Sequence, residues 1–379
     1  MLVNLVAYAI KENTGSEPGS GWAALRAHLE NGHVVRVLTT TENKIIFDQS
    51  SLSNNKNVEI LTIDFSRWTT SILKKMPFSA QLIYNLWAIK AGIKLRNVLK
   101  ENGNIGIVHH STYGGDWNLN SIIFLPRSQK SYWGPIGGCQ KITFGEFMDL
   151  SLKGKAIEVI RVSVISLLRV LIRFAITNKN LTILSTNQSV DEFFGKTVVS
   201  TYCPNLILDF QDPHTPKEKK YIFSSGRLIP LKNYKLIVSA MQYMDSNIEL
   251  VIAGDGFLRK SLIKQIDQLG LTDRIHLIGQ VSHEKAIELL LHSSVFAFTS
   301  IRDSHSWSLA EAVHLGIPIA TIGTPGNISV LKNAGPSYLP KRTPNPSEFA
   351  EYLKNPIILN HRLAFSLEKV SNHYAELFI

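Results

Sequence analysis

"YIFSSGRLIPLKNYKLIVSAMQYMDSNIELVIAGD" runs from Tyr221 to Asp255. It opens on a short apolar run, turns through a loop at Gly226, takes up helical spacing over "NYKLIVSAMQYM", and closes on a second apolar run, "IELVIAGD". Two apolar runs joined by a helix-length amphipathic segment read as a βαβ unit, which demands parallel strands. The alternation continues through "FLRKSLIKQIDQLG", "RIHLIGQV", "HEKAIELLLHS", "SVFAFTS", "SLAEAVHLG" and "IPIATIG". It also stands at the start of the chain: "LVNLVAYAI" as a strand, "GSGWAALRAHLENG" as a helix, "HVVRVLTT" as a strand. Strands at "NVEILTID" and "IGIVHHST" follow, with a helix from about Ala80 to Glu101 between them. Two such sets in tandem predict an α/β protein of two Rossmann-like, doubly wound parallel-sheet domains. The Pro-, Asp- and Lys-rich stretch from Cys203 to Lys220 is the expected join. The predicted domains are 1–204 and 205–379, with the last helix packing back on the first.

Composition agrees with a folded chain. Of 379 residues, 44% are hydrophobic and 18% charged, enough apolar material for two cores without staples. Cys139 and Cys203 have no metal-ligand spacing and form no disulfide framework, so they read as packing residues in a reducing compartment. The opening "MLVNLVAYAI" lacks a basic leading segment, and no run reaches the ~18–20 clean apolar residues of a membrane span. A cytoplasmic protein is expected. The net charge of +10 is uneven: up to Pro204 there are 22 Lys+Arg against 14 Asp+Glu, leaving 18 against 16 for the rest. A basic first half calls for an anionic partner, and without any nucleic-acid-binding motif that partner is not nucleic acid.

In doubly wound folds ligands collect at the carboxyl ends of the strands, so the loops there hold the candidate chemistry. "SSGRLIPLK" places Arg227 and Lys232 on a loop leading into a helix, two cations beside free backbone N–H groups: either a diphosphate site or a solvated loop. "GSEPGSGW" occupies the matching loop of the first half, where Gly15, Gly19 and Gly21 permit close approach of a ligand or a plain turn. His109 and His110 end a strand, as core histidines or as part of a site, with no metal pattern beside them. "SYWGPIGGCQ", Ser131 to Gln140, reads as an ordered loop. "KAIEVIRVSVISLLRVLIRFAI" winds Arg161, Arg169 and Arg173 into one stripe against a broad apolar surface. That suits a helix lying on an anionic membrane or a core helix with solvated arginines.

Finally "RDSHSWSLAEAVHLGIPIA", Arg302 to Ala320, spaces Asp303 and Glu311 eight positions apart across a loop and a helix start. Together with "GRLIPLK", "VIAGDGFLRKSL", "LTDRIHLIGQV", "LENGHVVRVLT", "IVHH" and "YWGPIGG", this resembles the family-4 glycosyltransferases of the GT-B fold. The likeness extends along nearly the whole chain and is strongest from Ser224 to Gly326, with a first half similar to a branch tied to surface-polysaccharide assembly.

The resemblance implies two domains facing across a cleft and a retaining transfer of a hexose or N-acetylhexosamine from a UDP- or GDP-sugar to a glycan or lipid-linked acceptor. It implies that no metal or other cofactor is required, the nucleotide-diphosphate sugar being substrate. By the same likeness His109, Asp303, Arg227 and Lys232 are catalytic. Gly15, Gly19, Gly226, Arg227, Lys232, Gly254, Gly279, Val281, Asp303, Ser306, Trp307, Ser308 and Glu311 hold the donor. His110, Trp133, Gly137 and Gly138 hold the acceptor. Separately, the basic stripe of Arg161, Arg169 and Arg173 is expected to meet an anionic membrane surface on its inner, cytoplasmic face. Two departures from the family pattern stand out: Asp replaces Glu at 303, and His305 and Ser306 replace a small glycine-containing turn. A nucleotide-sugar epimerase of the same architecture and a non-catalytic nucleotide-sugar-binding protein are the rival readings.

Overall fold

A computed structural model describes residues 1–75, 79–101, 103, 106–141, 143–148, 152–209 and 221–378. The first part follows the order β1 (Leu2–Val6), α1 (Ser16–Glu30), β2 (Val34–Thr39), α2 (Thr41–Phe47), β3 (Val58–Thr62), α3 (Arg67–Lys74), α4 (Ser79–Glu101) and β4 (Ile107–His110). Then come β5 (Ser131–Ile136), α5 (Phe144–Met148), α6 (Leu152–Ile176), β6 (Leu181–Ser185), α7 (Gln188–Phe194) and β7 (Val199–Tyr202). The second part contains β8 (Tyr221–Ser225), α8 (Tyr234–Ala240), β9 (Leu250–Ala253), α9 (Arg259–Gln268), β10 (Ile275–Gly279), α10 (His283–Leu291) and β11 (Ser293–Phe298). It ends with α11 (Trp307–His314), β12 (Ile319–Thr321), α12 (Pro325–Lys332), α13 (Pro346–Lys354) and α14 (Leu367–Leu377).

Two sheets result, a seven-stranded one in the order β3-β2-β1-β4-β5-β6-β7 and a five-stranded one in the order β10-β9-β8-β11-β12. Every pairing between these strands is parallel. The alternation of strand and helix explains this, because each helix carries the chain back to the same end of its sheet. Unit 1 holds the seven-stranded sheet and comprises Met1–Cys139, Gly154–Ile207 and Leu367–Ile379; unit 2 comprises Gln140–Lys153 and Leu208–Ser366. Of the expected join, residues 210–220 lie outside the described residues.

Unit 1 has a core on each face of its sheet. On one, Trp87, Leu95, Ile172, Ile176 and Phe194 bring α4, α6 and α7 onto the strands. On the other, α1 and α14 pack through Leu25, Val370, Tyr374 and Phe378. Unit 2 has its own core, built from Ile237, Leu250, Leu262, Val295 and Phe349 among others.

Two local expectations are corrected. "SYWGPIGGCQ" is not a loop: its first six residues are β5, paired with both β4 and β6. Pro135 is tolerated in that central strand because the register slips between Trp133 and Ile136. Gly134 sits there at φ +139°, where an added Cβ would lie 2.1 Å from the Leu184 carbonyl oxygen. The "GSEPGSGW" stretch is mostly helix, since α1 begins at Ser16 with Gly15 as its N-cap. Pro18 falls in the first turn, where its missing N–H costs nothing. Gly21 lies against the β1 end, its absent Cβ replaced by the Ala9 carbonyl oxygen.

Candidate functional site

The five strands of unit 2 run parallel, so the loops leaving their carboxyl ends share one edge of the sheet. Backbone hydrogen bonds fasten these loops to one another: Gly226 N–H donates to Ala253 O (3.0 Å), Leu228 N–H to Asp255 O (2.9 Å) and Gly254 N–H to Gly279 O (2.7 Å). Gly254, at φ +141°, is where the contact is tightest, for a Cβ there would stand 2.0 Å from Gly226 O. Only glycine lets the β9 loop press that closely on the β8 loop.

The β11 loop is tied to the β8 loop in the same manner. Ile301 N–H donates to Leu231 O (2.9 Å), and the Thr299 hydroxyl donates to Lys232 O (2.9 Å). These bonds set Lys232 against Asp303, and the two side chains form an ion pair. The ammonium also lies 4.9 Å over the Phe298 ring, which fixes a long and otherwise mobile side chain. The Asp303 backbone is held in turn by Gln140, whose Nε2–H donates to its carbonyl at 2.8 Å, and by Gly326, where a Cβ would stand 1.8 Å from the same oxygen. Arg227 is exposed on the same β8 loop.

Glu311 lies in the second turn of α11, nearly buried, and accepts from His283 Nε2 at 2.8 Å. His283 is the first residue of α10, two positions after Val281. Hydrogen bonding to the Glu311 carboxylate raises its pKa above the ordinary histidine value, opposed by partial burial. The imidazolium form of the pair is therefore present below that raised midpoint and lost as pH rises through it. Neither composition nor motif pointed to His283; its place at the start of the helix after the Gly279–Val281 loop is the only sequence signal.

α11 begins just after Asp303, with Ser306 as an extended N-cap and no acidic residue in its first turn. Its N-terminal N–H groups and partial positive charge are thus left for an external anion. The Ser306 and Ser308 hydroxyls stand 3.2 Å apart at this end, and Trp307 is half-buried. His305 turns inward: it is buried, meets Phe365 edge-on at 5.5 Å between ring centroids, and has its pKa pushed down to about 3 by burial. Across the neighbouring loops, Arg259 donates from Nη2 to Leu277 O (2.9 Å), while its buried Nη1, near Gly279, has no hydrogen-bond acceptor. Unit 2 therefore gathers two carboxylates, two cations, an open helix N-terminus and an orphaned guanidinium donor at one sheet edge. Such a set suits a ligand with a diphosphate and several hydroxyls.

The unit 1 candidates fare differently. His109 is wholly buried, with its pKa lowered to about 4 by burial. Its Nε2–H donates to Gly134 O (2.8 Å), so Nδ1 accepts from His28 Nε2–H (2.9 Å), and His28 Nδ1 then accepts from His33 (3.2 Å). Both ring nitrogens of His109 are spent inside unit 1, which leaves none to face a sugar. His110 is equally buried, joined through Nε2 to the Tyr84 hydroxyl (2.8 Å) and through Nδ1 to Ser121 Oγ (2.9 Å). Trp133 is core, edge-on to Phe194. Gly137 is buried, and Gly138, at φ +113°, leaves room for the Asp116 carboxylate, which a Cβ would meet at 2.4 Å. Gly15 and Gly19 lie at the start of α1, in unit 1.

Two of the three arginines of α6 also reach partners on other elements of unit 1. Arg169 pairs with the buried Asp116, whose Oδ2 accepts from Cys139 N–H at 2.7 Å. Arg161 pairs with Glu158, three residues back on the same helix. Arg173 donates to the Thr197 hydroxyl and lies 5.6 Å over the Phe193 ring. The expectation that the arginine stripe meets a membrane surface is corrected for Arg169 and Arg173, which anchor α6 to unit 1 through Asp116, Thr197 and Phe193, while Arg161 is held by Glu158 within the helix. No helix among the described residues is long and apolar enough to cross a membrane.

Residues 208–364 match the family described as glycosyl transferases group 1. The phosphatidylinositol N-acetylglucosaminyltransferase GPI3 subunit of Saccharomyces cerevisiae is 26% identical over 181 residues, 43% of this chain and 40% of that one. An N-acetylgalactosamine-N,N'-diacetylbacillosaminyl-diphospho-undecaprenol 4-alpha-N-acetylgalactosaminyltransferase of Campylobacter jejuni is 31% identical over 94 residues, a quarter of each chain. The alignments thus span well under half the length of these relatives. Among solved structures, HepE of Anabaena in complex with UDP and glucose aligns with a TM-score of 0.56 at 14% identity, over 100% of this chain and 99% of that one.

Proposed function

From residues 208–364 as a glycosyl transferases group 1 domain within a GT-B fold, we infer a retaining transfer of an N-acetylhexosamine or hexose from a UDP-sugar to a lipid-linked or glycan acceptor. The observation that carries this reading is the Lys232–Asp303 pair at the sheet edge, beside Arg227, the α11 N-terminus and Glu311. Glu311 accepts the ribose hydroxyls, exchanging its bond to His283 for them. Lys232, Arg227 and the helix dipole hold the diphosphate, and Asp303 accepts from hydroxyls of the sugar. As the anomeric carbon–oxygen bond breaks, negative charge grows on the leaving phosphate, where these cations stabilise it without a metal. The acceptor oxygen bonds to the anomeric carbon from the departing side, so configuration is retained, and its proton passes to the leaving phosphate. The GPI3 and Campylobacter relatives, both named for N-acetylhexosamine transfer to lipid-borne acceptors, support the donor sugar and the acceptor class, and HepE supports uridine.

The test is nucleotide release by purified protein with EDTA present, across UDP- and GDP-sugars, each alone and with a membrane-lipid extract. Acceptor-dependent release of UDP, with an axial donor giving an axial product by NMR, is the expected outcome. Turnover of donor without acceptor would favour an epimerase; binding without release would favour a non-catalytic binder.

A further inference from the structure

α6 is built inside out for a helix in water. Glu158 is buried and pairs with Arg161, and Arg169 and Arg173 reach Asp116 and Thr197 of unit 1, whereas the outer face carries Val159, Ile160, Leu167, Val170, Leu171 and Phe174. Leu167 is 62% exposed and Phe174 83%. From Val159 to Phe174 no ionisable residue interrupts that face, and of its two hydroxyls Ser163 is turned back onto Val159 O (3.0 Å). A helix of 25 residues is ~37 Å long, so the exposed apolar surface reaches several hundred Å2, the scale at which a patch marks an interaction site.

What covers the face is indicated by its neighbours. α4 and α6 contribute to the same core, on one face of the unit 1 sheet, and α3 packs on α4. Between Phe65 and Lys100 the sequence has seven Lys and Arg and no Asp or Glu. Lys75, Lys90, Lys94, Arg96 and Lys100 are all exposed, as is Trp68 on α3 at 75%. Unit 1 as a whole carries 21 Lys+Arg against 14 Asp+Glu, a net +7. From Val159 to Phe174 that face has Phe174 as its one aromatic and no tryptophan, tyrosine or arginine, the residues in which the hot spots of protein–protein interfaces are enriched. An uncharged aliphatic face, cationic helices on the same side and an exposed tryptophan are together complementary to an anionic bilayer.

We propose that unit 1 docks on an anionic lipid surface through the outer face of α6, with α3 and α4 supplying the electrostatic attraction. The apolar side chains enter the headgroup boundary while the arginines remain in their protein contacts. The inference rests on unit 1 alone, and it stands or falls separately from the transferase reading because its test uses neither donor nor acceptor.

That test is co-sedimentation of the full chain with phosphatidylcholine vesicles, with and without about one-third phosphatidylglycerol, comparing wild type with Leu167→Gln and Phe174→Gln. Both positions are exposed, so the variants should melt with the wild type, and a melting curve checks this. The expected result is binding to the anionic vesicles that weakens with salt and falls at least tenfold in each variant. No binding by the wild type, or equal binding by the variants, would overturn the proposal. So would wild-type dimers that become monomers in both variants while neither binds vesicles, which would assign the face to a second copy of the chain.

Discussion

Lys232→Ala is expected to lower kcat by roughly 10²–10³, the scale seen when one preorganised donor to a developing oxyanion is removed. Lys232 is held by its pair with Asp303, by the Phe298 ring beneath its ammonium and by the loop bonds from Thr299 and Ile301. Little of its ordering must therefore be done at the moment of reaction, which is what makes a positioned cation effective. The loss should fall mainly on kcat, since the charge it meets grows as the bond to phosphate breaks. Lys232→Arg keeps the charge but not the single-point geometry, and should recover only part of the rate. Steady-state kinetics with the donor identified by the release assay, beside unchanged circular dichroism, checks the prediction. A variant with wild-type kcat would remove Lys232 from the site.

Asp116→Ala is expected to destabilise unit 1 by about 3–5 kcal/mol, the cost of breaking a buried ion pair from one side. Side-chain exposure is 4% for Asp116 and 13% for Arg169, so solvent does little to screen the pair. Removing the carboxylate leaves the Arg169 guanidinium uncompensated and takes the acceptor from Cys139 N–H. Urea unfolding should show a lower midpoint. The double variant Asp116→Ala/Arg169→Met should be more stable than Asp116→Ala, because the stranded charge goes with its partner. If Arg169 were instead a surface residue, Asp116→Ala would cost under about 1 kcal/mol and the double variant would add nothing.

That arginine shows where sequence reasoning reached its limit. The spacing of Arg161, Arg169 and Arg173 gives a stripe on α6, but periodicity says only that a helix has two faces. The usual assumption that the apolar face is inward fails here because Asp116, 53 residues earlier and on a different element, waits beneath the arginines. His109 and His110 illustrate the same limit. A strand's carboxyl end is where ligands gather, yet these rings are consumed by His28, Gly134, Tyr84 and Ser121, partners that no local pattern announces. β5 does not read as a strand because glycine and proline punctuate loops in most sequences, and only the slipped register makes them tolerable in a central strand.

The alternation of strands and helices was legible because it is a local property repeated many times, and the parallel sheets follow from it. The unit 2 loops were legible for a different reason. The Asp303–Glu311 spacing ties a loop acid to a helix acid across one helix start, and Gly254 stands where the backbone approach is too close for any side chain. His283 was not, since its role depends on a hydrogen bond to a residue 28 positions away.

Calorimetric titration of UDP into wild type and Glu311→Ala tests most directly whether the nucleotide occupies the unit 2 sheet edge. The expected result is one saturable site in the wild type, weakened at least tenfold in the variant while both proteins melt alike. Equal affinity in the two proteins, or no UDP binding by either, would contradict it.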